Sequence, residues 1–191
     1  MILHILGSCS GTEPYPNRHH TSVALETEGG LYFFDAGENC CHASYNLGLD
    51  QLCTQGIFIS HTHMDHVGGL PHLLWNLRKL CTLSPENQER MAGRRIPVYI
   101  PDLAVFQGIY QMLQGSEGHY ETVFSLEPRL VADGTLCQGA LRVEAFHNLH
   151  LGTPAAGEPW KSFSFTAEAE GKKLLYSGDF GQLPELLPHA S

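Results

Sequence analysis

Between Gly56 and Leu74 the chain reads GIFISHTHMDHVGGLPHLL, which places His61, His63, Asp65 and His66 almost side by side. In an extended segment, residues i and i+2 project to the same side. His61 and His63 can therefore converge on one ion from the mouth of a strand. Asp65 and His66 fall on the following turn, within reach of a second ion. Imidazole suits zinc and related transition metals, while a hard carboxylate oxygen suits a second metal or a polarised water. Two such ions, about 3.5–4 Å apart, can hold a bridging hydroxide and clamp the leaving oxygen of a displacement reaction. A polar loop merely rich in histidine is the plain alternative, and it gives no reason for these side chains to follow a buried strand directly.

Four ligands do not complete a two-metal site, so distant parts of the chain must supply others. His150 stands at the end of LRVEAFHNLH, read as an apolar strand whose last side chains leave the sheet at its mouth. Asp179 stands in LLYSGDFG, where an apolar strand again runs into small residues and an acid. A carboxylate there could bridge two ions. His147 competes with His150 for the same role.

The elements that must position these groups are mixed. MILHIL, TSVALET, LYFFDAG and GIFIS read as strands. CCHASYNLGL reads as a short helix, and Leu70, Leu73, Leu74, Leu77 and Leu80 recur at helical spacing after a glycine pair suited to a tight turn. RIPVYIP is a strand, and DLAVFQGIYQMLQG a helix capped by Asp102 and closed by Gly115. ETVFSLE, TLCQGALRVEAFHNLH and KSFSFTAEAEGKKLLYSGD make the last third strand-rich, with EGKK as a hairpin turn. Hairpins and crossovers together indicate a mixed α/β sandwich in one domain over 1–191. No GxGxxG turn follows the first strand.

The formal net charge of −9 offers no broad attraction for phosphate backbones. Arg78-Lys79, Arg94-Arg95 and Lys172-Lys173 read as solvated faces. The start lacks a basic signal region, and no apolar run approaches a membrane span, so a cytoplasmic protein with reduced cysteines is expected. Cys40 and Cys41 are adjacent, but helical neighbours diverge by about 100°, which favours buried structural cysteine.

SHTHMDHVGGL, with YFFDAGE upstream and VEAFHNLH and YSGD downstream, resembles the metallo-β-lactamase-fold hydrolases over nearly the whole chain. LGSCSGTEPYPNRHHTSVAL, FDAGE and ISHTHMDHVGGLPHLL are most similar to the ribonuclease Z-like, phosphodiesterase branch. The resemblance implies a four-layered αββα sandwich with the site at one edge. It implies His61, His63 and His150 on the first zinc, and Asp65, His66 and Asp179 on the second, with Asp179 bridging. Asp65 would also orient or deprotonate the attacking water, and Asp35 would brace the metal loop from behind. Manganese or iron could replace zinc.

Two departures qualify this likeness. The branch supplies a further histidine on a loop after another strand, whereas this sequence runs out at GQLPELLPHAS, with His189 as the remaining candidate. The expectation is a C-terminally shortened chain lacking a strand, a ligand and a helix. The tRNA-processing members also carry a glycine- and lysine-rich arm, and none stands out here. A dinuclear zinc phosphodiesterase acting on a small or cyclic phosphodiester is the first reading. tRNA 3′-end processing, supported by the NRHH loop from Asn17 to His20, is second. A non-catalytic protein of a cofactor pathway is third. No membrane partner is expected, and a homodimer is compatible with the sequence.

Overall fold

The structure, a computed structural model of the chain, describes residues 1–11 and 15–190. Thr12, Glu13 and Pro14, within the quoted LGSCSGTEPYPNRHHTSVAL, lie outside the described residues. A six-stranded sheet runs in the order β1 (Ile2–Gly7), β2 (Ser22–Thr27), β3 (Gly30–Phe34), β4 (Thr54–Phe58), β5 (Arg95–Ile100) and β6 (Ser125–Leu130). Its first three strands are antiparallel, and β3 to β6 run parallel. A second, antiparallel sheet is formed by β7 (Gly134–Cys137), β8 (Arg142–His147), β9 (Phe163–Ala169) and β10 (Lys172–Tyr176), in the order β10-β9-β8-β7.

Side-chain alternation along the central strands makes two cores. Leu31, Phe33, Ile57, Ile59, Ile96 and Val98 pack with helices α1 (Cys40–Asn46), α3 (Leu70–Thr82), α4 (Pro85–Met91) and α5 (Leu103–Glu117). Tyr32, Phe34, Phe58 and Tyr99 turn the other way, against Val143, Phe163, Phe165 and Tyr176 of the second sheet. Phe58 stacks between Phe34 at 5.0 Å and Tyr99 at 4.9 Å, across three neighbouring strands. A strand covered on both faces has no polar side to show, which is why Ile57, Phe58 and Ile59 are apolar in succession.

Among the described residues the layers are therefore helices, sheet and sheet. The expected fourth layer is not formed by them. Two single 3-10 turns, Leu183–Glu185 and Leu187–His189, close the described chain, and the His189 ring stacks at 3.6 Å on Phe146 of β8.

Several boundaries differ from expectation. Asp102 does cap α5, accepting from the Ala104 N–H at 2.9 Å, but the helix continues through Gly115 and ends at Gly118, whose φ of 75° is left-handed. The strand expected over 121–127 is displaced to β6, because parallel pairing with β5 registers Arg95 with Ser125 and Ile100 with Leu130. TLCQGALRVEAFHNLH is a hairpin of β7 and β8, ending at His147, so His150 lies in the turn beyond the strand. EGKK does form a two-residue turn, with Glu170 and Gly171 both left-handed at φ 53° and 68°. Arg94 is no solvated charge: its guanidinium donates to the carbonyls of Leu52 and Thr54.

Candidate metal centre

The site sits where the parallel strands of the first sheet end beside the exits of β8 and β10. After Phe58 the chain stays extended through His61 and His63, then makes the single helical turn α2 (Met64–Val67) that carries Asp65 and His66. This loop is sewn to the exit of β3 by backbone bonds. Asp35 N–H donates to Phe58 O at 2.8 Å, Ala36 N–H to His66 O at 2.7 Å, and Gly69 N–H to Ala36 O at 2.7 Å. Gly69 has an ordinary right-handed φ of −90°. Its requirement is space, since a Cβ there would lie 2.0 Å from the carbonyl oxygen of Gly37.

Asp35 is fully buried and holds a left-handed φ of 56°, a conformation that aspartate tolerates better than most residues. Its Oδ1 accepts the Ser60 N–H at 2.7 Å. Its Oδ2 accepts three donors, each at 2.7 Å: Ser60 Oγ, His66 Nδ1 and Tyr176 Oη. These bonds fix the histidine tautomers. With its Nδ1 proton given to Asp35, His66 aims Nε2 inward. With the Ser60 hydroxyl donated to Asp35, its oxygen must accept from His61 Nδ1 at 3.1 Å, and the His61 Nε2 lone pair is left free.

Three ring nitrogens then face one another. His63 Nδ1 lies 3.1 Å from His61 Nε2 and 3.4 Å from His150 Nε2. An ion with tetrahedral ligands at about 2.0–2.1 Å separates those ligands by about 3.3–3.4 Å, so the spacing is that of one shared cation. His61, His66 and Asp179 form a second group, and within each group the ligand atoms all lie within 4.8 Å of one another. Asp179 spans the two, with Oδ1 3.4 Å from His66 Nε2 and Oδ2 3.6 Å from His150 Nε2. Asp65 Oδ2 is also 3.4 Å from His66 Nε2. At that distance neither carboxylate bonds His66 well, and among the described residues its buried Nε2 has no hydrogen-bond partner. An orphaned buried nitrogen between two carboxylates is a place made for a cation, so the residues fit a divalent metal.

The charges agree. Burial, reinforced by His66, pushes His61 down to about 4, so its ring is neutral at pH 7 and ready to donate a lone pair. Burial opposes protonation of His66, yet Asp179 and Asp35 overcome it and raise the ring to about 10. The charged His66 ring 3.4 Å away holds Asp179 at about 2 against its own burial. A group raised from 6.5 to about 10 on folding stabilises fully below pH 6.5, and that contribution fades as pH climbs toward 10. Chelator-stripped protein should therefore lose about 1 kcal/mol per pH unit between pH 7 and 8.5, a fall of a few °C in thermal midpoint. A flat midpoint over that window would contradict the His66 assignment.

The other candidates lie elsewhere. His147 Nδ1 bonds Asp133 at 2.6 Å and its ring stacks on Trp160, while His189 rests on Phe146. Cys40 and Cys41 are buried against the helices, and these two, Cys53, Cys81 and Cys137 are free thiols. Among the described residues no helix is long and apolar enough to cross a membrane. Ser60, Tyr176 and Gly11 were not foreseen. Each touches the site through a non-local contact, and a Cβ on Gly11 would lie 2.8 Å from Asp65 Cγ. The only signal in the sequence is adjacency, since Ser60 precedes His61 and Tyr176 opens YSGD.

Comparison with known proteins identifies the fold and the family. A ribonuclease Z of Treponema pallidum is 53% identical over 70 residues, which is 37% of this chain and 22% of that protein. The match thus spans about a fifth of that relative's length. Human tRNase Z, short form, superposes with a TM-score of 0.68 at 24% identity, covering 93% of this chain and 68% of that one. The metallo-β-lactamase fold protein YhfI of Bacillus subtilis gives a TM-score of 0.69 at 15% identity, covering 98% and 65%. These two likenesses show the fold. The profile of a family described as "Anti-Pycsar protein Apyc1" matches residues 1–191, end to end. With its mixed sheets, its HxHxDH loop and a match along its whole length, the chain has the metallo-β-lactamase fold and belongs to the anti-Pycsar protein Apyc1 family.

Proposed function

We propose that this chain is a metal-dependent hydrolase, a dinuclear zinc phosphodiesterase whose substrate is a small or cyclic phosphodiester. The observation that carries the reading is the facing of His61 Nε2, His63 Nδ1 and His150 Nε2 at 3.1–3.4 Å, with Asp179 reaching both clusters. His61, His63 and His150 would hold one ion. His66, Asp65 and Asp179 would hold the other, with Asp179 between them. A bound pair of divalent ions would supply Lewis acidity and a nucleophile at neutral pH. Asp65 is half-buried beside the cluster, where its carboxylate can orient the attacking water and take its proton. Asp35 keeps His66 in the tautomer that presents Nε2. Zinc-loaded protein should cleave bis(p-nitrophenyl) phosphate, and EDTA should stop it. Asp65→Asn should lower the rate by about 10²–10⁴. Turnover indifferent to chelation would remove the proposal.

The ribonuclease Z likeness supports a second reading, action on tRNA. It predicts cleavage of precursor tRNA that weakens steeply as salt rises. The NRHH loop favours it little, because His19 and His20 are both engaged by Glu38, which their contacts hold below the usual carboxylate range despite its burial.

A further inference from the structure

Two of the proposed ligands, His150 and Asp179, come from the second sheet, and neither lies in a regular element. His150 is three residues beyond the end of β8, and Asp179 is three beyond the end of β10. One buried side chain joins them. Asn148 is 1% exposed, and its Oδ1 accepts the His150 N–H at 3.1 Å. Its Nδ2 donates to the Asp179 carbonyl at 3.0 Å and to Ser164 Oγ at 3.0 Å. The orientation of this amide is not arbitrary, since a backbone N–H requires an acceptor and a backbone carbonyl requires a donor.

The surroundings show why one amide can control both ligands. Ser164 passes its own hydroxyl to the Ser177 carbonyl at 2.6 Å, so the exit of β10 is gripped at Ser177 and again at Asp179. Gly178 is left-handed at φ 54°, and a Cβ there would fall 2.7 Å from Ser60 Cβ, so this exit also presses on the metal loop. Asn148 itself is anchored, its N–H donating to Ser162 O at 3.0 Å in continuation of the β8–β9 ladder. A hydrogen-bonded ladder thus carries the amide, and the amide ties together two irregular exits.

Resting on the two-metal reading above, we infer that Asn148 is a positioning residue that sets the separation of His150 and Asp179, and through it the affinity for metal. It touches neither ion nor substrate. Partners that orient metal ligands typically change affinity by about 10–100-fold when removed.

The test compares wild type, Asn148→Ala and Asn148→Asp, each stripped with EDTA and checked for folding by circular dichroism. Zinc affinity is read by competition with a chromophoric chelator, and zinc protection by the rise in thermal midpoint. The expected result is zinc binding weakened roughly 10–100-fold in the alanine variant, with a correspondingly smaller rise in midpoint. Asn148→Asp keeps the acceptor for His150 but turns an oxygen toward the Asp179 carbonyl, so it should bind zinc more weakly than wild type as well. If the alanine variant does not fold, the aspartate variant decides. A merely structural amide would lower the midpoint of the stripped protein and leave zinc affinity at the wild-type value, which overturns the inference. If wild type itself takes up no zinc, the two-metal reading fails and the inference falls with it.

Discussion

Protein carrying His61→Ala should fold, lose both metal equivalents at micromolar zinc, and hydrolyse bis(p-nitrophenyl) phosphate at least about 10³-fold more slowly than wild type. His61 belongs to both groups of facing ligand atoms, which Asp179 also spans. Its ring lies 4.0 Å from that of His66 and 4.6 Å from those of His63 and His150, so its removal opens both clusters at once. Metal ions supply several kcal/mol of transition-state stabilisation, and each 1.36 kcal/mol is about tenfold in rate. His63→Ala should be nearly as damaging to activity, although it opens only the first cluster. Metal content by atomic absorption and the hydrolysis rate check the prediction together. A His61→Ala protein that keeps two zincs would contradict the assignment of both sites.

The second large effect is on stability. Asp35→Ala removes the acceptor of four hydrogen bonds from Ser60, His66 and Tyr176, all buried. A buried donor left without a partner costs about 1–3 kcal/mol, so the substitution should remove about 4 kcal/mol or more. That is a large part of the 5–15 kcal/mol that typically separates folded from unfolded states. The thermal midpoint of metal-free protein should drop by about 8–16 °C. Alanine also fits the left-handed φ of 56° poorly. Asp35→Asn keeps the shape and the backbone tolerance but loses the charge facing His66, so it should fall between wild type and alanine. A midpoint within a few degrees of wild type for Asp35→Ala would show that these bonds do not organise the loop.

The metal loop was legible because its information is local. Period-two spacing, a buried strand and a following turn put His61, His63, Asp65 and His66 on one side without reference to the rest of the chain. His150 and Asp179 were legible only as ends of apolar runs. The choice between His147 and His150 was not decidable from pattern, since it depends on β8 ending at His147 and on Asp133 and Trp160 claiming that ring. Tyr176 was hidden for a different reason. Its hydroxyl bonds a carboxylate 141 residues away, and such a pairing leaves no periodicity to read. Glycines carried too little information by themselves. Gly115 sits inside a helix and Gly118 ends it, and the difference lies in a φ of 75° that no spacing reveals. Gly69 looked like a turn residue but is needed for the close approach of Gly37.

The account stands on imidazoles and acids from both sheets sharing divalent ions, and anomalous X-ray scattering from zinc-soaked crystals tests it most directly. The expected map has one peak about 2.0–2.1 Å from His61 Nε2, His63 Nδ1 and His150 Nε2. A second peak should lie about 3.5–4 Å from the first, beside His66 Nε2 and Asp179. A map with no peak among the three histidine nitrogens, or with zinc held only at other side chains, would contradict it.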